Sequence, residues 1–589
     1  MYSVHPLLIT TLSALVRLLD FAFSAKMSAF LLNNTYVKLC HWFFKTFEPR
    51  NQTLFHSIVA FIIIPPSLLA FVFRNYYHGH LALALTLSYT LYITALLTSI
   101  VLYRLSPFHP LAGIPGPTIG KISRLWSLYI ATTGQQHRYA QELHERYGPI
   151  VRTGPNHLHI IDASAIPTLL SAKPFEKAER YKVTVPLGGS GALGTLVDIH
   201  EHQARRKLWD RAMNSEAMQG YREIFSRRIN QFVGLLEKRD GQIIDLSLLF
   251  SLLAVSISIR FDVMGDLAFN GRFEMLKSAV DANDYISTTR GSAFFFEWSG
   301  KIPWIRPLVP YIMRINAPAL AFHRLAVECI SKRLSEGSKK KDLFYHLFNE
   351  QNNGQAWAFP LAIAESRGTL LAGADTTGTA ITSILYYLLT NPSTMNKLRF
   401  ELDSHYDDIG DMYSSDTLSK LPYLNAVINE GLRLAPALPS GTQRYLPPGK
   451  GPVVVSQTLI PEGTTVQMPT FVLHRDPRYF SPQPNSFIPE RWLDESIKPD
   501  RSAFIPFSVG PTSCVGKNFA LTELRLLLCI LLHTFDFQLS PSFDSKGWES
   551  TFNDNFILTK GALPTRTSKG IVVLVVFIEE RNNKTRETL

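Results

Sequence analysis

The stretch Phe507-Ser-Val-Gly510-Pro-Thr-Ser-Cys514-Val-Gly516 runs straight into a helical pattern from Lys517 to Leu532. A cysteine so placed suits a metal-binding thiolate. Glycines on either side permit tight turns around the sulfur, and a helix start offers N–H groups and positive dipole to its charge. Hydrogen bonds to such a sulfur tune the potential of the metal it holds. A buried structural cysteine ahead of a helix fits the same letters. Cys529, inside the following apolar helix, has that structural setting, and Cys40 and Cys329 lack a glycine-flanked loop.

Three further clusters carry side chains suited to chemistry. Leu371-Ala372-Gly373-Ala374-Asp375-Thr376-Thr377 sits inside a long apolar helical pattern. A glycine in a helix interior costs about 1 kcal/mol, and something should offset that. The glycine would leave a groove for a diatomic molecule. The threonine hydroxyls can bond backward and loosen the helix ladder, and the carboxylate beside them could relay protons. Small residues at a helix–helix contact fit equally. Glu430-Gly-Leu-Arg433 puts a carboxylate and a guanidinium on one helix face, which for most such pairs means an exposed ion pair. Downstream, Phe487-Ile-Pro489-Glu490-Arg491-Trp492 offers a second arginine to close a triad. His202-Gln-Ala-Arg205-Arg206, near a helix start, is a cationic face suited to carboxylates, or else a solvated basic surface.

Positioning these groups falls to a mostly helical domain. Helical periodicity covers 137–147, 202–213, 221–238, 361–390, 393–404 and 516–534, and strand-like runs are confined to 149–161, 453–468 and 570–578. That pattern predicts a mainly α domain with small β-sheets at one side. No glycine-rich dinucleotide fingerprint follows a strand, so electrons for redox chemistry would come from a separate protein. The 589 residues carry a net charge of +11, with 46% hydrophobic and 18% charged residues. No Lys/Arg cluster interleaved with aromatics favours nucleic acid, which leaves an anionic membrane surface, an acidic protein partner or a basic surface without a specific role. Four cysteines make no disulfide framework.

Residues 1–104 read as a membrane anchor with up to three hydrophobic segments, expected as transmembrane helices. Leu81 to Tyr103 is 23 residues without a charge, and a helix of that length covers about 34 Å, enough for a bilayer core. Leu54 to Phe73 is interrupted by Pro65-Pro66, which would kink it or make it re-entrant. Pro6 to Phe23 carries Arg17 and Asp20, which could pair or let the segment lie in the interface. Lys26, Lys38, Lys45 and Arg50 precede the later segments, and Arg104, Lys121 and Arg124 follow them. The positive-inside rule then places the 24–53 loop and everything after Tyr103 in the cytosol, leaving the sequons at Asn33 and Asn51 unglycosylated. Residues 105–117 form a proline-rich hinge, and 118–589 the catalytic domain.

In their order and spacing the four clusters resemble the cytochrome P450 family, in its fungal microsomal form, from about Ser106 to the C-terminus. The resemblance implies the P450 fold and a haem b cofactor whose iron takes Cys514 as axial thiolate. It makes Phe507, Gly510 and Gly516 parts of the cofactor-binding loop, Asp375 and Thr376 the catalytic proton-delivery pair, and Glu430, Arg433 and Arg491 a buried structural triad. His202, Arg206 and Arg444 become contacts to the haem propionates. One position departs. The family usually has Arg or His two residues before the cysteine, and here Thr512 weakens that propionate contact, leaving Arg206 and Arg444 to hold it.

The same resemblance implies a monooxygenase that hydroxylates or epoxidises a lipophilic secondary metabolite, such as a terpenoid. Electrons would come from a NADPH–cytochrome P450 reductase, with cytochrome b5 as a further donor. The chain would sit in the endoplasmic reticulum membrane with its catalytic domain in the cytosol. Phe294, Phe295, Phe296, Trp298 and Trp304 could equally be core or membrane-dipping residues. Two other readings stay open: a P450-type isomerase or dehydratase working without dioxygen, against which the Asp375-Thr376 pair argues, and a haem-binding protein without turnover.

Overall fold

Two prolines inside an apolar stretch usually break it, yet here the helix runs through them. The computed structural model describes residues 34–43, 56–74 and 79–569, apart from 172, 174, 186–188, 190, 247–255, 272, 274–283, 338–341, 349–357, 407–411, 413–415 and 498. The chain divides into two units, Met1–Ser123 and Arg124–Leu589. In the first, Pro65 and Pro66 fall in the opening turn of α1 (Ile64–Phe73), where missing N–H groups cost least, and a π-helical turn, Val59–Ile63, leads into it. Pro65 cannot donate to the carbonyl of Phe61, and the Tyr92 hydroxyl does so instead at 2.6 Å. The Tyr89 hydroxyl likewise donates to the Ile63 carbonyl at 3.1 Å.

Both tyrosines project from α2 (Leu81–Leu105), which buries Ala84, Ser88, Tyr92 and Leu96, one residue in every four. Leu83, Leu87, Leu91, Leu97 and Leu102 stay exposed. At 25 residues, α2 reaches about 37 Å. Among the described residues it is the one helix long and apolar enough to cross a membrane, and the apolar run His56–Val72 is shorter. Pro6 to Phe23 and most of the 24–53 loop lie outside the described residues. The plural spans expected from the sequence therefore reduce, in what is described, to one helix of spanning length.

The second unit is mostly helical. Its main helices are α3 (Gln136–Tyr147), α4 (Ile199–Ala212), α5 (Ser215–Glu237), α6 (Ser256–Ala268), α7 (Tyr285–Lys301) and α8 (Ala317–Glu336). After them come α9 (Phe359–Thr390), α10 (Pro392–Asp403), α11 (Pro422–Leu434) and α12 (Lys517–Thr534). Apolar periodicity misses α7 because its inner face is polar: it buries Thr289, Ser292, Glu297, Ser299 and Lys301. Of its aromatics, Phe295 and Phe296 are core residues, whereas Trp304, just beyond the helix, is exposed.

Helix α9 forms the centre, with α6, α8, α11 and α12 packed against it. Its Ile381, Ile384, Leu385 and Leu388 are fully buried. Close approach of α11 depends on Gly431, where a Cβ would stand 2.3 Å from Cγ1 of Ile384.

The strands are short, as expected, but seven of the twelve among the described residues fall outside the runs read from the sequence. β1 (Ile150–Gly154) and β2 (His157–Ile160) form a hairpin that joins a five-stranded sheet with β3 (Glu176–Lys177), β5 (Gln443–Tyr445) and β8 (Thr465–Gln467), in the order β1-β2-β8-β5-β3. β2 and β8 run parallel, with Leu158 opposite Val466, and β5 returns antiparallel with Arg444 opposite the same Val466. Three strands, β4 (Ile243–Asp245), β12 (Pro564–Lys569) and β9 (Phe535–Leu539), make a second sheet. The pairs β6–β7 (Val453–Val455, Thr458–Ile460) and β10–β11 (Asn553–Asn555, Ile557–Thr559) are separate hairpins. The strand-like run 570–578 lies outside the described residues.

Candidate active site

Cys514 lies in the loop that ends at α12, and of the four cysteines it is the exposed one; Cys40, Cys329 and Cys529 are buried. The loop is closed by its own backbone. Cys514 N–H donates to the Phe507 carbonyl at 2.9 Å, and Ser513 N–H to that of Gly510 at 3.0 Å. Gly510 is needed as glycine: its φ is +78°, and a Cβ would stand 2.5 Å from the carbonyl oxygen of Leu170. Gly516 is different. It caps α12 with φ −84°, where any residue fits, so the tight turn expected of it is not what it provides.

The low thiol pKa expected at a helix start is not reached either. Although Cys514 is open on one side, burial of its flank desolvates the sulfur and raises its pKa, opposed by the Gly516 N–H and the charges of Arg206 and Lys517. A bound metal ion would itself supply the drive to lose the proton. Among the described residues no group of three His, Cys, Asp or Glu side chains could hold a metal. An ion at Cys514 would therefore bring its other ligands with it.

Cations gather beside this loop. Arg206 on α4 donates to the Ser513 carbonyl at 2.6 Å, and Arg444 on β5 donates to the Thr512 hydroxyl at 2.5 Å. Thr512 therefore does not leave its place empty but holds the guanidinium that comes to it. Lys177 on β3, missed in the sequence, adds a further charge; its pKa is pushed down to about 7 by burial and by Arg444 and Arg206. Burial, with Lys177, Arg206 and Arg444, lowers His202 to about 4. Arg205 turns away, to Glu365 on α9 and to Glu201. Two buried atoms of this group, His202 Nδ1 and Arg444 Nε, have no hydrogen-bond partner. The cations Arg206, Arg444 and Lys177, with the unpartnered Arg444 Nε, fit an anion with several carboxylate oxygens, as the propionates of a haem provide, although Arg206 is also paired with Asp210.

Asp375 and Thr376 sit on α9. The Thr376 hydroxyl donates back to the Ala372 carbonyl at 2.9 Å, the backward bond foreseen for it. Asp375 is buried, and its Oδ2 lies 3.3 Å from Nε of Arg290 on α7. No sequence signal links that arginine to an acid 85 positions later. Gly373 does not face an open groove. A Cβ there would stand 2.7 Å from the Met264 sulfur on α6, so this glycine serves a helix–helix contact.

Glu430, Arg433 and Arg491 do meet, with side chains wholly buried. Glu430 accepts from Arg433 Nε at 2.8 Å and Nη2 at 2.7 Å, from Arg491 Nε at 2.9 Å and from the Trp492 indole at 3.0 Å. The arginines spend their remaining donors on carbonyls of His474, Phe480, Pro482, Gln483, Pro484 and Ser486. An i,i+3 pair that would ordinarily be exposed is here a saturated interior network.

The Cytochrome P450 family model matches residues 115–560, a range that holds all four clusters. A cytochrome P450 monooxygenase of Fusarium pseudograminearum, FCK2, is 33% identical over 524 residues, covering 87% of this chain and 92% of the relative. Tryprostatin B 6-hydroxylase of Aspergillus fumigatus is 31% identical over 484 residues, 80% of this chain and 83% of the relative. A cytochrome P450 monooxygenase of Aspergillus versicolor, notG', is 31% identical over 487 residues, covering 80% of this chain and 85% of the relative. A cysteine loop built at the head of a helix, cations beside it and matches along most of the chain lead to one conclusion: the protein belongs to the cytochrome P450 family and is an oxidoreductase, a P450 monooxygenase.

Proposed function

We propose that this chain is a haem-thiolate monooxygenase, anchored by α2 in the endoplasmic reticulum membrane, that hydroxylates or epoxidises a lipophilic secondary metabolite. A NADPH–cytochrome P450 reductase would supply the electrons, because the chain carries no dinucleotide fingerprint of its own. The observation that carries this reading is an exposed Cys514 beside Arg206, Arg444 and Lys177, with the buried His202 Nδ1 and Arg444 Nε lacking partners. Cys514 would ligate the iron of haem b, and Arg206, Arg444, His202 and Lys177 would receive its carboxylates.

Bound haem supplies the activation of dioxygen, which no side chain here can perform. The protein's own residues handle protons and position. Asp375, oriented by Arg290, would take up a proton from solvent and pass it through water toward the Thr376 hydroxyl, which would leave its backward bond to Ala372 to hand one on. That relay favours oxygen chemistry over an isomerase or dehydratase. The name of tryprostatin B 6-hydroxylase supports a hydroxylation of a small natural product; the terpenoid class rests on the family resemblance.

The test is reconstitution. Purified protein with haem, reductase and NADPH should show a thiolate-type spectrum in its reduced carbon monoxide complex and add oxygen to lipophilic candidate substrates. Cys514→Ser should lose that spectrum. If Cys514→Ser keeps it while Cys529→Ser does not, the ligand assignment is wrong. A wild-type spectrum without product from any redox partner would favour the haem-binding protein without turnover.

A further inference from the structure

One buried histidine stands between the triad and the cysteine loop. His474, just after the short helix Thr470–Leu473, is wholly buried. Its carbonyl accepts from Arg433 Nη1 at 2.8 Å, and its Nε2 accepts from the Ile505 N–H at 3.0 Å. Because Nε2 accepts, the ring is neutral with its proton on Nδ1. Burial, with Arg433 and Arg475 nearby, lowers its pKa to about 3, so it stays in that form throughout the working range. Phe504 lies against the ring at 5.4 Å between centroids, and Trp492 lies at 4.6 Å from Phe504. The Trp492 indole returns to Glu430.

From Ile505 the bonds continue toward the sulfur. The Ile505 carbonyl accepts from Ser508 N–H at 3.0 Å, closing the turn that contains Phe507, and the Phe507 carbonyl accepts from Cys514 N–H at 2.9 Å. Ser508, inside that turn, has φ +55°, a left-handed conformation that a serine adopts only when its surroundings enforce it. Hydrogen bonds thus link Glu430, Arg433, His474 and Ile505, and the Ile505–Ser508 turn with the Phe507–Cys514 bond carries the connection along the backbone to Cys514. Within it, the imidazole is the side-chain acceptor that meets the loop.

We infer that His474 is a positioning residue for the cysteine ligand: its Nε2 fixes the entry of the 505–514 loop to the Glu430–Arg433–Arg491 network and so sets where the Cys514 sulfur stands. The inference rests on Cys514 being the iron ligand, and the experiment keeps the two apart. The residue needs an acceptor at the Nε2 position and nothing else, so His474→Gln, whose amide oxygen reaches that position, should keep the function. His474→Asn places its oxygen nearer the backbone, at the Nδ1 position, and should not. His474→Leu supplies no acceptor at all.

The test uses full-length, haem-loaded protein and compares reduced carbon monoxide spectra, together with the rate at which the thiolate-type band decays on mild heating. Wild type and His474→Gln should show the thiolate band with similar lifetimes. His474→Asn and His474→Leu should convert at least about tenfold faster to a band without thiolate ligation, at equal haem content. If Gln, Asn and Leu behave alike, or if Leu decays as wild type does, the inference is overturned. Should Leu fail to fold, the Gln and Asn pair decides alone, since both are polar and of similar size. A wild type with no thiolate band would instead overturn the assignment of Cys514, a result separate from any difference among the variants.

Discussion

At Thr512 a single hydroxyl decides how a buried guanidinium is held. It accepts from Arg444 Nη2, and Arg444 already has one buried donor, Nε, without a partner. Thr512→Val keeps the shape and removes the acceptor. A lost hydrogen bond to a charged group costs about 1.5–3 kcal/mol, which corresponds to haem release faster by roughly tenfold or more. Transfer of haem to apomyoglobin would measure it, and an unchanged rate would show that Arg206, His202 and Lys177 suffice. The role proposed for Thr376 is in turnover, not in binding. Thr376→Ala should keep haem and substrate binding yet divert NADPH electrons into hydrogen peroxide, because a methyl group cannot pass a proton. Equal product per NADPH in wild type and variant would remove Thr376 from the mechanism.

Helix α7 shows how an element can be held by charges where apolar periodicity is absent. Its Glu297 lies 2.5 Å from Arg180 and 2.8 Å from Lys301, and all three are buried. The two cations keep the Glu297 carboxyl well below the usual carboxylate range against the cost of its burial. Arg180 also stands over the rings of Phe296 and Phe556, the latter from the β10–β11 turn. Glu297→Gln leaves two buried cations without their anion, a change that costs about 3–5 kcal/mol. Urea denaturation of the haem-loaded protein should move to a clearly lower midpoint. A shift within about 0.5 kcal/mol, typical of a surface site, would mean that the cluster is solvated in solution.

For the molecule as a whole, the groups that carry the chemistry all come after the apolar segments. Removal of residues 1–104 should leave a protein that still takes up haem but is released from membranes by milder treatment. A well-expressed truncation without haem would show that the anchor is part of the catalytic fold. Acid should weaken the fold through its buried histidines. Burial lowers His137 and His474 to about 3 and His144 to about 4. Since each folded value lies below the unfolded one, near 6.5, the unfolded chain binds more protons in between. Stability present above about pH 6.5 is therefore lost as pH falls toward 4, at about 1 kcal/mol per histidine by pH 5.5. Asp554, raised to about 7 by burial, acts in the opposite sense, but His202, lowered to about 4, and the buried His157 and His159, lowered further, act with the other three. Melting temperature should be lower at pH 5.5 than at 7.5, and equal values would contradict this account.

Local order in the sequence was enough to determine the cysteine loop, the Glu-x-x-Arg pair, the backward bond of Thr376 and the helix of spanning length. Each depends on residues within a few positions of one another, where backbone geometry and side-chain type leave few outcomes. Of the long-range contacts, Arg491 was offered by its aromatic, proline-containing loop and Arg444 only by the family resemblance, whereas Arg290 on Asp375, Lys177 beside Arg444 and His474 on Ile505 were not legible. The roles of small residues also waited on the fold. Gly510 is required by its φ and by the Leu170 carbonyl, Gly373 by Met264 and Gly431 by Ile384, whereas Gly516 has no such need. What a glycine lacks matters only against the atom that would have met it, and tertiary packing alone brings that atom into place.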